Sequence, residues 1–313
     1  MACLPRFSIR TKTYLDSLKD DVEIICLENE SLTKYNNLSR FKQLKTLRCS
    51  WTASISLPKL PDTLETLCCV SNSISQIEIF PPSLKNIDIS SNIITKLPPL
   101  PNNLEVLNCS FNELNTIPLL PNSIRVLDCS NNRITSLPTQ STTELSQLEC
   151  SYNLITELPQ LSPFLIQLDC NDNQLKQLPQ LGNGILRIDC SNNHITHLPK
   201  LPEYLKQLTC NDNNLRYLPL LPESIDTIYF ENNPMTEYFN MSNITLLRKQ
   251  VNIVHKFRST YYHLKFKQRF RDLLWKMREP RLQKYYSPEN LSCLLENLDD
   301  DDYENFQEVL TNW

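Results

Sequence analysis

The chain has 313 residues, 21% of them charged, and a formal net charge of −4; that length holds two or three ordinary domains, or one body that grows in a single dimension. No apolar run approaches the roughly 18 residues of a membrane-spanning helix, and Met1 to Arg10 lack the basic-then-apolar layout of a signal peptide. Twelve cysteines without such a signal point to a reducing, intracellular compartment.

Residues 1–21 show no period and read as an N-terminal cap, with Asp16–Asp21 as a polar turn before a first strand at 22–27. A repeat then begins. Its unit is L-x-x-L-x-C-S-x-N-x-L-x-x-L-P-x-L-P, as in Leu104-Glu105-Val106-Leu107-Asn108-Cys109-Ser110-Phe111-Asn112 continuing to Pro118 and Pro121. The central apolar residue recurs at Ile25, Leu47, Leu67, Ile87, Leu107, Leu127, Leu148, Leu168, Ile188, Leu208 and Ile228. Two residues later stand Cys49, Cys69, Cys109, Cys129, Cys150, Cys170, Cys190 and Cys210, with Ile89 and Phe230 substituting. Three further on stand Asn72, Asn92, Asn112, Asn132, Asn153, Asn173, Asn193, Asn213 and Asn233.

A period near 20 with this core is the leucine-rich-repeat signature, one solenoid coil per unit. The expected fold is an α/β-type solenoid: a right-handed coil of eleven units over 22–236, a parallel sheet on its concave face, an extended convex side and a helical C-terminal cap. The second Leu and the Cys, two apart, point the same way from a strand. No single coil could bury that face, so neighbours and end caps are required.

Each Asn falls where the chain leaves its strand, and its amide supplies both a donor and an acceptor to backbone groups that would otherwise lack partners. A ladder of stacked amides is therefore expected as a structural feature. Two columns hold 14 of the 21 prolines; proline fixes φ and cannot donate, which favours a polyproline-like return over a helix. Only Gly182 and Gly184 occur, so turns at positive φ are expected at Asn or Asp, and the coil at 178–186, which departs from L-P-x-L-P, is expected to turn irregularly.

Adjacent parallel strands lie about 4.8 Å apart, inside the roughly 4.4–6.8 Å Cα range of a disulfide, so distance alone does not forbid bridges. Cys stands where the usual repeat has Leu or Val, which favours buried free thiols packing as small apolar groups. The column lacks C-x-x-C pairs and interleaved His, so no metal site is expected. The coils at the N-terminal end are degenerate, with Thr52 and Glu30 in the Asn column, as end coils are.

After Asn233-Pro234 the period stops, and 237–313 reads as a helical region. Leu247, Val251, Val254, Phe257, Tyr261 and Leu264 recur at three and four, a stripe suited to covering the last coil. Pro280 is expected to break the helix, Ser287-Pro288 to open another through about Leu298, and a last one to span about 302–311. Arg248 to Lys284 carry twelve Lys/Arg against Asp272 and Glu279, whereas Glu289 to Glu308 carry eight acids and no Lys or Arg. The basic stretch 248–284 is either part of a cap or a binding element for a calmodulin-like protein, an anionic membrane or nucleic acid.

Outward residues flanking the central Leu are free to vary with a ligand. The position just after it reads Arg48, Cys68, Asp88, Asn108, Asp128, Glu149, Asp169, Asp189, Thr209 and Tyr229, half of them acidic. Like charges on neighbouring strands repel. The candidate site is this concave stripe, with Trp51, Phe111 and Tyr152 at the strand rim as aromatic anchors, and its candidate partner is a protein with a basic segment. The competing reading is that the acids only keep the solenoid soluble; a third is that the basic tail of this or another copy fills the stripe. No H-E-x-x-H, P-loop, G-x-S-x-G or zinc pattern occurs, so no catalysis and no cofactor is expected.

The run Leu97-Pro98-Pro99-Leu100-Pro101-Asn102-Asn103-Leu104 through Asn112 resembles the short-repeat leucine-rich domains of bacterial effectors delivered into host cells, over about residues 44–234. Some of those carry a ubiquitin-ligase domain with a C-x-D nucleophile; here Cys293 is followed by Leu294-Leu295, and the tail is too short for such a domain. The segment Leu274-Trp275-Lys276-Met277-Arg278-Glu279-Pro280 through Leu291 resembles the tails of leucine-rich-repeat proteins from giant DNA viruses of amoebae, which implies an intracellular host setting. The expected function is a non-enzymatic protein-interaction scaffold; the alternatives are a ubiquitin-ligase adaptor, for which residues 1–40 show no convincing F-box, and membrane or nucleic-acid attachment through 248–284.

Overall fold

The computed structural model describes residues 11–28, 32, 37–138, 144–239 and 243–285. The chain divides into two compact units, residues 1–252 and 253–313.

The first unit is a leucine-rich-repeat solenoid. A short helix, α1 (Thr11–Ser17), precedes eleven strands: β1 (Ile24–Glu28), β2 (Thr46–Ser50), β3 (Thr66–Cys68), β4 (Asn86–Asp88), β5 (Val106–Asn108), β6 (Val126–Asp128), β7 (Gln147–Glu149), β8 (Gln167–Asp169), β9 (Arg187–Asp189), β10 (Gln207–Thr209) and β11 (Thr227–Tyr229). They form one sheet in sequence order, every pair parallel. Register follows the repeat: Leu107 stands opposite Ile87 and Leu127. The central residues from Ile25 to Leu208 are buried, and all eight column cysteines have no exposed surface. Ile89 and Phe230 fill the same column, also fully buried, so its requirement is apolar volume rather than a thiol. None of the ten described cysteines is in a disulfide.

Between β2 and β11 the described chain returns without a helix, as proline's fixed φ and missing donor favour. The returns described throughout end in a turn in which the next core residue donates to a carbonyl three back, as Leu104 N does to Pro101 O at 3.2 Å. The coil with both glycines makes the same turn, Ile185 N to Gly182 O at 3.4 Å, and neither glycine has positive φ. The expected irregularity there is absent because the ladder bonds on either side set the backbone path.

The asparagine ladder is the element that locks coil to coil. Asn92 Nδ2 donates to the carbonyls of Cys69 (2.9 Å), Ile89 (3.0 Å) and Ser90 (3.1 Å), and its Oδ1 accepts from Ile74 N (3.0 Å). The pattern repeats to Asn233, which reaches Cys210 O at 2.9 Å. In the degenerate coil Thr52 and Ser54 share the role: Thr52 Oγ1 bonds Cys49 O at 3.2 Å, and Ser54 Oγ accepts from Leu32 N at 3.0 Å.

At the N-terminal end α1 places Leu15 in the core, and the Arg40 guanidinium bonds its carbonyl; this helix escaped the sequence reading, and the first strand begins at Ile24 rather than residue 22. After β11, Met235 is buried, and the Phe230 and Phe239 rings meet edge to face at 6.3 Å. Asn243 Oδ1 then accepts from Thr245 N (2.8 Å) and Leu246 N (3.1 Å), capping α2 (Ile244–Tyr285). Leu247 and Val251 are buried, and Arg248 Nη2 donates to Pro222 O at 3.2 Å.

The second unit contains the rest of α2. The helix continues through Pro280, so the expected break there does not occur; proline forfeits one backbone hydrogen bond, and the helical bonds before and after it persist. Val254, Phe257 and Tyr261, placed on the covering stripe by their spacing, are exposed, so the buried Leu247 and Val251 are followed on that stripe by exposed residues. No helix among the described residues is long and apolar enough to cross a membrane. The expected helices at 288–298 and 302–311, together with Glu30 and Cys293, lie outside the described residues.

Candidate functional site

The variable column lies on the outward face of the sheet, and strand register fixes its neighbours. Asp128 stands opposite Glu149, Glu149 opposite Asp169, and Asp169 opposite Asp189. Four acids therefore occupy four consecutive strands, with about 4.8 Å between strands. None of the six ion pairs among the described residues includes one of them or Asp88. A trough of about 340 Å³ runs over β3 to β7, lined by Cys68, Asp88, Asn108, Asp128 and Glu149 and by the preceding column, including Val106, Val126 and Gln147. The sequence reading placed both flanking columns outward but took its candidate residues from the following one; the preceding column lines the same trough.

Most of the acids also have a structural task. Asp88 Oδ1 accepts from Ser90 N (3.1 Å) and Ser90 Oγ (2.7 Å), and Asn108 Oδ1 accepts from Ser110 N (3.0 Å) and Oγ (2.7 Å). Asp128 takes Ser130 N at 3.0 Å as well as its hydroxyl, and Asp189 takes Ser191 N at 3.0 Å. Asp169 accepts from Asn171 Nδ2 at 2.6 Å. These are Asx turns that end β4, β5, β6, β8 and β9. Glu149, one carbon longer, instead accepts from Gln147 Nε2 at 2.6 Å. Burial raises the Asp169 carboxyl above the usual range, and the neighbouring charges of Asp189 and Glu149 push it the same way against the bonds from Asn171.

Trp51, Phe111 and Tyr152 share the next column, where the chain turns off its strand. All three are exposed, and all are held at positive φ, 59°, 53° and 52°. Asn131, Asp172, Asn192, Asp212 and Asn232 occupy the same place in other coils, as expected, but so do Ser71 and Ser91. The restriction to Asn and Asp fails because ladder bonds on both sides impose the conformation: Phe111 N donates to Ser130 O of the following coil at 2.9 Å, and Phe111 O accepts from Asn92 N of the preceding coil at 3.0 Å. The three aromatics stand three and two coils apart, separate points along the rim rather than a cluster. Arg48 on β2 and Tyr229 on β11 lie toward the ends of the sheet, away from the acidic run. No group of three His, Cys, Asp or Glu suited to a metal ion is found among the described residues.

The fold and its sheet face are those of leucine-rich-repeat proteins. Solved structures similar to this chain include YopM from Yersinia enterocolitica WA-314, 31% identical over 69% of this chain and 52% of that one, with a TM-score of 0.59. YopM from Yersinia pestis, described as a leucine-rich effector protein, is 32% identical over 69% of this chain and 61% of that one, with a TM-score of 0.64. This chain thus spans between half and two thirds of the two YopM chains. InlJ from Listeria monocytogenes, whose functional domain includes a cysteine ladder, shares the fold at 23% identity, 71% and 56% coverage and a TM-score of 0.50. No family model and no curated protein matches the chain.

Proposed function

We propose that the chain is a non-enzymatic, effector-like scaffold that binds a protein partner on its sheet face through a basic segment of that partner. The observation that carries this is the in-register run Asp128, Glu149, Asp169 and Asp189, which costs stability through like-charge repulsion and has no basic side chain paired to it among the described residues. The likeness to YopM effectors supports an interaction role. The test is selection of displayed random peptides on the intact chain, with binding remeasured at two salt concentrations and against Asp128→Lys, Glu149→Lys and Asp169→Lys together. Lys/Arg-rich winners whose binding weakens with salt and is lost on reversal support the reading. Winners without a basic bias, or unchanged by the reversal, end it.

A second reading is favoured by α2, where exposed Phe257, Tyr261 and Phe266 alternate with Lys256, Arg258, Lys265 and Lys267. It assigns 248–284 to an anionic membrane, nucleic acid or a calmodulin-like protein. Vesicle and DNA co-sedimentation of the full chain with and without charge-neutralised 248–284 decides it.

A further inference from the structure

The column that opens each strand, one residue after the first core Leu, reads Glu23, Lys45, Glu65, Lys85, Glu105 and Arg125, its sign alternating coil by coil. Lys45 pairs with Glu23 at 3.4 Å and Lys85 with Glu65 at 2.9 Å. Beyond Arg125 this ladder is interrupted for three coils, where the column becomes Ser146, Ile166 and Leu186, before charge returns at Lys206 and Asp226. The column two residues earlier changes at the same coils: Ser123 and Glu144 give way to Phe164, Gly184 and Tyr204 before Ser224. Phe164, Ile166 and Tyr204 are 63%, 48% and 61% exposed.

Gly184 sits between the two aromatics on the intervening coil, so their Cα atoms are about 10 Å apart with no side chain between them. The backbone does not require glycine there. Its φ is not positive, and a Cβ would meet its nearest atom, Leu165 O, at 3.4 Å. Ser224 fills the equivalent place in its own coil, donating to Leu205 O at 2.8 Å. The gap is a feature the fold tolerates rather than one it demands. Its width admits a branched aliphatic side chain in contact with both rings at about 3.5–4.0 Å.

We propose that Phe164, Gly184, Tyr204 and Ile166 form a slot for an aliphatic side chain of the same basic partner segment; this rests on the acidic-face reading above. Charge complementarity selects that occupant. Asp169 lies three residues along β8 from Ile166, about 10 Å, and Asp189 is its register partner. A polyproline-like peptide, whose side chains return to the same side every three residues over about 9 Å, therefore brings a Lys or Arg onto this pair of carboxylates when it seats a Leu-sized residue in the slot three positions away.

The test is peptide selection on the full-length chain, followed by affinity measurement of the winners on Gly184→Val, which fills the slot, on Phe164→Ser with Tyr204→Ser, which removes its walls, and on Asp169→Asn with Asp189→Asn. Thermal melts check folding of each. Expected winners carry Leu, Ile or Met three or four residues from Lys or Arg. Their affinity drops at least tenfold on Gly184→Val and on the double Ser variant, and the double Asn variant loses their salt dependence. Basic winners without an aliphatic position, or with one indifferent to both slot variants, overturn the slot and leave the acidic face standing. Winners with no basic bias, or no winners, overturn both.

Discussion

The side-chain amide of Asn153 donates to the carbonyl of Cys129, 3.0 Å away on the preceding coil, while its Oδ1 accepts from Ile134 N at 2.9 Å. With further bonds to Cys150 O (3.2 Å) and Ser151 O (3.1 Å), one buried side chain satisfies four backbone groups on two coils. The solenoid is held together across its returns by this device as well as by its apolar column.

Asn153→Ala is therefore expected to destabilise the array by about 2–4 kcal/mol, since a buried N–H and carbonyl are left unpaired at about 1–3 kcal/mol each. Asn153→Asp is expected to cost more at pH 7, because it turns a carboxylate toward three carbonyl oxygens, and to recover toward the Ala value as pH falls. Urea midpoints at pH 5 and pH 7 check the order; an Asp variant as stable as wild type at pH 7 would contradict the ladder.

The strands, their register and the Asn ladder were legible because each is one constraint repeated coil after coil, so Leu107, Cys109 and Asn112 were corroborated by seven or more equivalents. Features that occur once were not. Helix α1 places Leu15 in the core and leaves no period; α2 passes through Pro280 because one lost bond does not end a long helix. At the site, the acidic column was legible but its Asx turns were missed, although the signal lay in Asp128-Cys129-Ser130 and Asp189-Cys190-Ser191, an acid two residues before a hydroxyl. The positive φ of Phe111 was not legible at all, since it is imposed by hydrogen bonds from neighbouring coils against local preference.

The thiol column predicts a weakness at alkaline pH. Burial raises the thiols of Cys129, Cys170 and Cys190 well above their ordinary range and that of Cys210 to about 12. Their folded values lie above the unfolded value of about 8.5, so their contribution is fully present below that pH and is lost as pH rises toward the folded values. Each adds a slope of about 1.4 kcal/mol per pH unit there. Urea midpoints between pH 8 and 9.5 should fall, and fall less in Cys129→Val with Cys170→Val. In native alkylation mapped by mass, the half-buried Cys26 and Cys68 should react ahead of every buried column cysteine.

Asp128→Asn separates structure from charge. Asn108 already serves as an Asx acceptor with the same geometry, so the amide should keep the turn and relieve repulsion from Glu149, leaving stability equal to or up to about 1 kcal/mol above wild type. Asp128→Leu should cost about 1 kcal/mol through the lost bonds to Ser130. Asp169 adds a pH signature: its folded carboxyl lies above the unfolded value of about 3.9, so its contribution is present below that pH and lost as pH rises through the folded value. Asp169→Asn should remove that loss, read as a smaller midpoint decline from pH 4 to pH 6.

The rim aromatics provide the sharpest contrast between folding and binding. A bulky residue at φ near 53° bears about 1–2 kcal/mol of strain that Asn tolerates better, and Asn131 and Asn192 adopt the same conformation in this protein. Phe111→Asn and Tyr152→Asn should each raise the unfolding midpoint by the equivalent of about 0.5–1 kcal/mol. If these exposed rings serve a partner, the same variants should weaken binding of peptides selected on the sheet face. Stabilisation with unchanged peptide affinity would show that the rings are tolerated rather than used. Destabilisation would show instead that the rings make contacts on the rim outweighing their backbone strain.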